Sequence, residues 1–141
     1  MKFCTGEKMI FLDTSFLVAL GVDADSNHKN AVELMNRILE GKAGETVISD
    51  YIFDETVTIT YSKTKNLEKA TKLGTSLKKS VLIKLNDKDF EETWELFKKQ
   101  ADTKLSFTDC SSLVIMKRLG IKNIATFDED FKKIREINVN L

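Results

Sequence analysis

The chain contains no proline and only one histidine, His28. Without proline, glycines and helix caps must punctuate it. A ribonuclease that uses two histidines as acid and base is excluded, as is zinc held by paired histidines of one chain. The two cysteines, Cys4 and Cys110, lie far apart with no CxxC spacing. They supply neither a disulfide framework nor a zinc signature. No apolar run reaches the roughly 18 residues of a membrane helix. The best, Met9 to Leu20, carries Asp13 in its middle. Met1 to Lys8 lacks the apolar stretch of a secretory signal, so a cytoplasmic location is expected. Net charge is absent too, with 22 basic residues against 22 acidic. Affinity for nucleic acid would therefore have to come from local patches or from a bound metal. There is no G-x-x-x-x-G-K-[ST] and no G-x-G-x-x-G, since Gly41-Lys42-Ala43-Gly44 has the wrong order for a phosphate loop.

What is present suits one globular domain spanning 1–141, with 1–7 as a flexible lead: 141 residues, 42% hydrophobic and 31% charged. Short apolar runs read as strands at Lys8 to Leu12, Thr46 to Ile48, Val81 to Leu85, Ile121 to Phe127 and Ile137 to Leu141. Between them the spacing predicts helices. Thr14 to Leu20 breaks near Gly21, and Asn27 to Glu40 ends at Gly41 as a C′ glycine. Ser49 caps a helix to about Lys63, although Val57 to Tyr61 is β-rich. Asn66 to Lys79 follows, interrupted by Gly74. Asn86 or Asp87 caps a helix to about Ala101, and Ser106 starts one that ends at Gly120. Strands alternating with helices predict an α/β fold with a parallel sheet, whose sites form beyond the carboxyl ends of the strands.

Four carboxylates fall in telling places. Asp13 directly follows Met9-Ile10-Phe11-Leu12, and Asp128 follows Ile124-Ala125-Thr126-Phe127. Parallel strands would put both acids on one edge of the sheet. Glu55 shares a helical stripe with Ile52 and Ile59, whereas Asp54 points elsewhere; Asp109 shares one with Leu113 and Met116. Each acid also has a purely structural reading. Asp13 suits an N-cap, Glu55 a partly exposed helix position, and Asp128 the cap of a short turn with Asp130. Asp109 closes a capping-box pattern, Ser106-Phe107-Thr108-Asp109. Taken together, the four suggest a shared site. Clustered carboxylates repel one another, by roughly 1 kcal/mol at 4 Å in water and several-fold more in a sheltered cleft. A cation would neutralise them, and all-oxygen ligands favour Mg²⁺ or Mn²⁺. Such an ion suits phosphoryl chemistry, because it activates water and offsets charge on the leaving oxygen.

Ile10-Phe11-Leu12-Asp13-Thr14-Ser15, Glu55, Phe107-Thr108-Asp109 and Ala125-Thr126-Phe127-Asp128-Glu129-Asp130-Phe131 together resemble the PIN-domain nucleases, in particular the small VapC-like toxin type. The resemblance implies a three-layer α/β/α sandwich with a central parallel sheet. It implies Mg²⁺- or Mn²⁺-dependent cleavage of RNA, with Asp13, Glu55, Asp109 and Asp128 as the acidic quartet and Asp130 as a candidate extra ligand. Thr14 or Ser15 would brace the first acid, Thr108 and Thr126 would support the site, and Cys110, Ser111 and Ser112 would pack closely beside it. A homodimer and an antitoxin partner are implied as well. The lead of Met1 to Glu7 departs from the family pattern. A processing nuclease, a DNA-acting enzyme and a non-cleaving binding module stay open as alternatives. A phosphatase with an aspartyl nucleophile fits less well, since no D-x-D stands at Asp13. Lys63, Lys65, Lys69, Lys72, Lys78 and Lys79 read better as a solvated face than as an RNA guide. Phe90, Trp94 and Phe97 read as core or dimer interface before base-stacking platform.

Overall fold

The computed structural model describes residues 9–141, so the predicted lead at 1–7 lies outside the described residues. The first strand, β1, covers Met9–Leu12 and is followed by α1 at Thr14–Gly21 and α2 at His28–Arg37. A π turn over Ile38–Lys42 then places Gly41 at φ 82°, the left-handed conformation expected of a C′ glycine. Next come β2 (Glu45–Ser49), α3 (Asp50–Thr64), α4 (Leu67–Leu77), β3 (Val81–Ile83), α5 (Asp87–Lys98), α6 (Phe107–Leu119), β4 (Asn123–Ala125) and β5 (Asn138–Val139). A 3-10 turn at Glu129–Lys133 separates the last two strands.

The five strands form one sheet in the order β3-β2-β1-β4-β5, and every pairing is parallel. With its helices this is the three-layer α/β/α architecture that the alternation of elements predicts. The central strand β1 is apolar on both faces, with Ile10, Phe11 and Leu12 all buried. That is the mark of a strand covered by helices on either side. Phe16, Leu17, Ile48, Ile52, Ile115, Ile124 and Phe131 extend the same core.

Caps explain the helix boundaries. Ser49 accepts from the Ile52 N–H, Asn66 from the Lys69 N–H, and Asn86 and Ser106 each complete a capping box. The β-rich stretch inside α3 stays helical because Ile52, Thr56 and Thr60 bury one face of it. The predicted stripe shifts accordingly, and Glu55 and Ile59 lie at its half-buried margin. Gly74 does not interrupt α4; a Cβ there would stand 3.1 Å from Val57 Cγ1, so the glycine lets α3 and α4 approach. Predicted strands at 81–85, 121–127 and 137–141 prove shorter. Among the described residues, no helix is long and apolar enough to cross a membrane.

Candidate active site

Chain order decides where a site can form. From β1 the chain moves out through β2 to β3 on one side, then crosses back to β4 on the other. The crevice at such a reversal opens beyond the carboxyl ends of the two adjoining strands, here β1 and β4. Asp13 leaves β1 at that point, and its N–H continues the ladder to Ala125 O at 3.0 Å. Thr126, Phe127 and Asp128 leave β4 beside it.

Asp13 is the centre of a short hydrogen-bond network. It is buried, at 2% exposure. Ser15 Oγ and Thr126 Oγ1 both donate to its Oδ2 at 2.7 Å. The Phe127 N–H donates to Ser15 Oγ at 2.9 Å, and the Asp128 N–H to Thr126 Oγ1 at 3.0 Å. A hydroxyl has one proton to give. With backbone N–H groups filling their acceptor sides, both hydroxyls are committed as donors to Asp13, and such chains reinforce one another. The other oxygen, Oδ1, is buried and has no hydrogen-bond partner. Burial raises the Asp13 pKa, and the bonds from Ser15 and Thr126 oppose the rise. Ser15 is thus the brace expected of the first helical turn. Thr14 contributes to Asp13 only through its backbone N–H, its hydroxyl being buried without a partner.

Asp109 approaches from the first turn of α6. Its Oδ2 accepts from the Ser106 N–H at 3.0 Å, so the capping-box reading holds. Its pKa is nonetheless raised to about 6, first by burial, then by the Asp13 charge, with a further rise from Asp128. Asp13 and Asp128 thus both lie within electrostatic reach of Asp109. Asp128 caps the 3-10 turn by accepting from the Asp130 N–H at 2.9 Å, as its structural reading expects. Both readings of Asp109 and Asp128 are therefore compatible, since capping and mutual proximity coexist.

The other sequence candidates are placed less tightly. Glu55 is half-buried on α3, about 8 Å along the helix from the end of β2 at 1.5 Å per residue. Among the described residues, no hydrogen bond or ion pair joins it to the three aspartates. Asp130 accepts from Lys133 Nζ at 2.9 Å, which occupies one of its oxygens. Thr108 contributes its carbonyl, which accepts from the hydroxyls of Ser111 and Ser112. Cys110, Ser111 and Ser112 are all buried, as close packing behind Asp109 requires. Burial, then Asp109, pushes the Cys110 thiol up to about 11, so it serves as packing and not as a nucleophile. Among the described residues, no three His, Cys, Asp or Glu side chains converge into a ready cage for a metal ion. The donor chemistry still fits a hard cation. The donors are carboxylate oxygens, one of them buried with nothing to satisfy it, in a pocket where like charges disfavour ionisation.

Two features escaped sequence reasoning. Asp89, 1% exposed, accepts a two-pronged contact from Arg118 at 2.9 and 2.8 Å, tying α5 to α6. Asn140 holds the backbone of Thr126. The three ring-bearing residues of α5 are exposed instead of forming core: Phe90 at 46%, Trp94 at 45% and Phe97 at 37%. Phe90 and Phe97 reach Phe107, two residues before Asp109, at ring-centroid distances of 5.3 and 6.3 Å. A cavity of about 980 Å³ lies between α5, α6 and residues 134–137 and is lined by none of the four acids.

The fold and site define a class, an α/β protein with a buried aspartate, Asp13, at the switch point of its sheet and Asp109 within electrostatic reach of it. The PIN domain family profile matches residues 10–137, and the chain belongs to that family. The 23S rRNA-specific endonuclease VapC20 of Mycobacterium tuberculosis is 31% identical over 124 residues, 87% of this chain and 92% of that one. The crystal structure of Mycobacterium tuberculosis VapC20, a Sarcin-Ricin loop cleaving toxin, superposes with a TM-score of 0.77 at 26% identity, covering 91% of this chain and 96% of the other. A chain from a toxin-antitoxin complex of Klebsiella pneumoniae has a TM-score of 0.67 at 16% identity, covering 94% and 98%, which shows a common fold.

Proposed function

We propose that residues 1–141 form a single PIN unit that hydrolyses phosphodiester bonds in RNA, and that it is the toxin of a toxin–antitoxin pair acting in the cytoplasm. The observation that carries this reading is the unpartnered Oδ1 of Asp13, buried just beyond the end of β1, with Asp13 and Asp128 both close enough to raise the pKa of Asp109. The relative that is a 23S rRNA-specific endonuclease supports RNA as the substrate and makes ribosomal RNA the first one to assay.

Asp13, Asp109 and Asp128 would hold Mg²⁺ or Mn²⁺, with Glu55 as the fourth acid and Asp130 as an outer ligand. A divalent ion held there would supply Lewis acidity for the attack of water on the phosphodiester. The chain's own part is to fix those oxygens. Ser15 and Thr126 lock Asp13 through Oδ2, which leaves Oδ1 as its contact with a cation. The Ser106 N–H does the same for Asp109, and the Asp130 N–H for Asp128. Each capping bond thereby sets the orientation of a ligand. With no net charge, phosphate affinity would come from the metal-loaded pocket or from local basic patches. An antitoxin would mask the pocket, and the exposed rings of α5 offer a face for a homodimer.

The test is cleavage of ribosomal RNA by the purified protein with Mn²⁺, with EDTA, and in the Asp13→Asn variant. Cutting should require both the metal and Asp13, with at least a 100-fold loss in the variant. Equal cutting by Asp13→Asn would overturn the site; no cutting by the parent chain on RNA or DNA would leave a binding module.

A further inference from the structure

The network around Asp13 does not end at Thr126. The Thr126 N–H donates to Asn140 Oδ1 at 2.8 Å, and Asn140 Nδ2 donates to the Thr126 carbonyl at 2.8 Å. One side-chain amide thus grips both backbone groups of the residue whose hydroxyl holds Asp13. β4 ends at Ala125, so Thr126 is the first residue beyond the regular ladder. β5 ends at Val139, so no strand residue of β5 stands opposite Thr126 to pair its backbone. The Asn140 amide takes the place of that missing strand pairing. It extends the sheet by one rung, at the rung that matters for Asp13.

The backbone at Asn140 points the same way. Its N–H donates to Ile124 O at 2.9 Å, and its φ of 59° is left-handed. Glycine adopts that conformation without a steric penalty, and asparagine tolerates it better than most side chains. The turn could therefore be made with no side chain at all. The amide present uses its donor and its acceptor on Thr126 alone.

We infer that Asn140 is a positioning residue for the acidic pocket: it sets the Thr126 backbone, and through the Thr126 hydroxyl it sets Asp13. Its part is played through Thr126 and requires no contact of its own with substrate or cation. This inference rests on Asp13 belonging to the functional site. Residues that orient a ligand from behind commonly govern affinity or rate by 10- to 100-fold.

The decisive variant is Asn140→Gly, which keeps the left-handed backbone available and removes the amide. Asn140→Asp keeps the acceptor for the Thr126 N–H and loses the donor. Asn138→Ala is the control, since it removes a contact from β5 to Asn123 of β4 at 3.3 Å without reaching Thr126. Each is compared with the parent chain and with Asp13→Asn, in kcat and KM on ribosomal RNA and in Mn²⁺ affinity by calorimetry. The expected result is a fall in kcat of about 10-fold or more for Asn140→Gly, with KM within about 2-fold, and Mn²⁺ binding weakened by a similar factor. Asn140→Asp should recover part of both, and Asn138→Ala should match the parent. If Asn140→Gly is too unstable to assay, Asn140→Asp carries the comparison alone, with an intermediate loss expected. Unchanged kcat and Mn²⁺ affinity in a folded Asn140 variant, while Asp13→Asn is inactive, overturns the positioning role alone. Equal losses in Asn138→Ala overturn it too, by reducing it to packing of β5. Full activity in Asp13→Asn overturns the site itself, and the role of Asn140 with it.

Discussion

At the scale of single residues, the pocket is built from charges that the fold does not want. Asp109 has its pKa raised to about 6 by burial and by Asp13 and Asp128, and burial raises Asp13 as well. A carboxyl whose pKa is higher in the folded state holds its proton more tightly there than in the unfolded chain. Between the ordinary value near 4 and about 6, the folded protein therefore carries the extra proton. Stability in the absence of divalent metal should fall as pH rises through that window. Allowing for partial exposure, the loss traceable to Asp109 is roughly 1–2 kcal/mol. Asp109→Asn should flatten the profile and raise the melting temperature at pH 7 without metal. Chemical denaturation at pH 4.5 and pH 7 measures this, and a variant that keeps the parent's slope would remove Asp109 as its source. Millimolar Mg²⁺ or Mn²⁺ should reverse the loss in the parent by mass action. Asp13, Asp109 and Asp128 are legible in the sequence because each follows an apolar strand run or lies in the first turn of a helix, which are local signals. Asn140 is not legible, because its partner Thr126 lies 14 residues away and no period or motif links the two. Thr14 shows the opposite failure. It stands beside Ser15 in an equally apt motif position, and only the direction of the helix decides that Ser15 is the one to face Asp13.

At the scale of elements, helix boundaries were largely readable, since caps are written in the residues beside them: Ser49, Asn66, Asn86, Ser106 and Gly120 all act as the pattern implies. Packing between helices was not. The contact of Asp89 with Arg118 joins α5 to α6 across 29 residues of sequence. Asp89 is buried, and its Oδ2 also accepts from the Asn86 N–H, so the ion pair and the capping box share one carboxylate. Arg118→Met would leave that charge buried with only the cap to compensate it. Removing one member of a buried pair costs about 3–5 kcal/mol, and the partial exposure of Arg118 puts the expected loss near 3 kcal/mol. Urea denaturation measures it. A change below about 0.5 kcal/mol would mean that the cap alone satisfies Asp89. Because α6 carries Asp109 in its first turn and Arg118 in its last, the same variant should weaken Mn²⁺ binding less than Asn140→Gly does.

At the scale of the whole molecule, the sheet order places the site and α5 supplies a surface. Helical spacing alone could not decide whether Phe90, Trp94 and Phe97 face inward; the thin cover of a three-layer sandwich leaves one face of α5 with no layer beyond it. Trp94 and Phe97 stack with ring centroids 6.0 Å apart, so the patch is continuous. Large exposed rings at such density mark contact surfaces. The parent chain should sediment as a dimer at micromolar concentration, and Trp94→Ala should shift it to monomer with the melting temperature little changed. A monomeric parent chain would remove the homodimer from the proposed function.

The parallel order β3-β2-β1-β4-β5 also bears on biosynthesis. Thr126 and Asn140 are translated 113 and 127 positions after Asp13. A nascent chain that stops short of Thr126 has its first acid but neither the strand nor the hydroxyl that holds it. One that stops between Asp128 and Asn140 already has all four acids, yet lacks the amide that sets Thr126. On the proposed reading, cleavage of ribosomal RNA would have to wait until Thr126 and Asn140 are both made, long after the first acid.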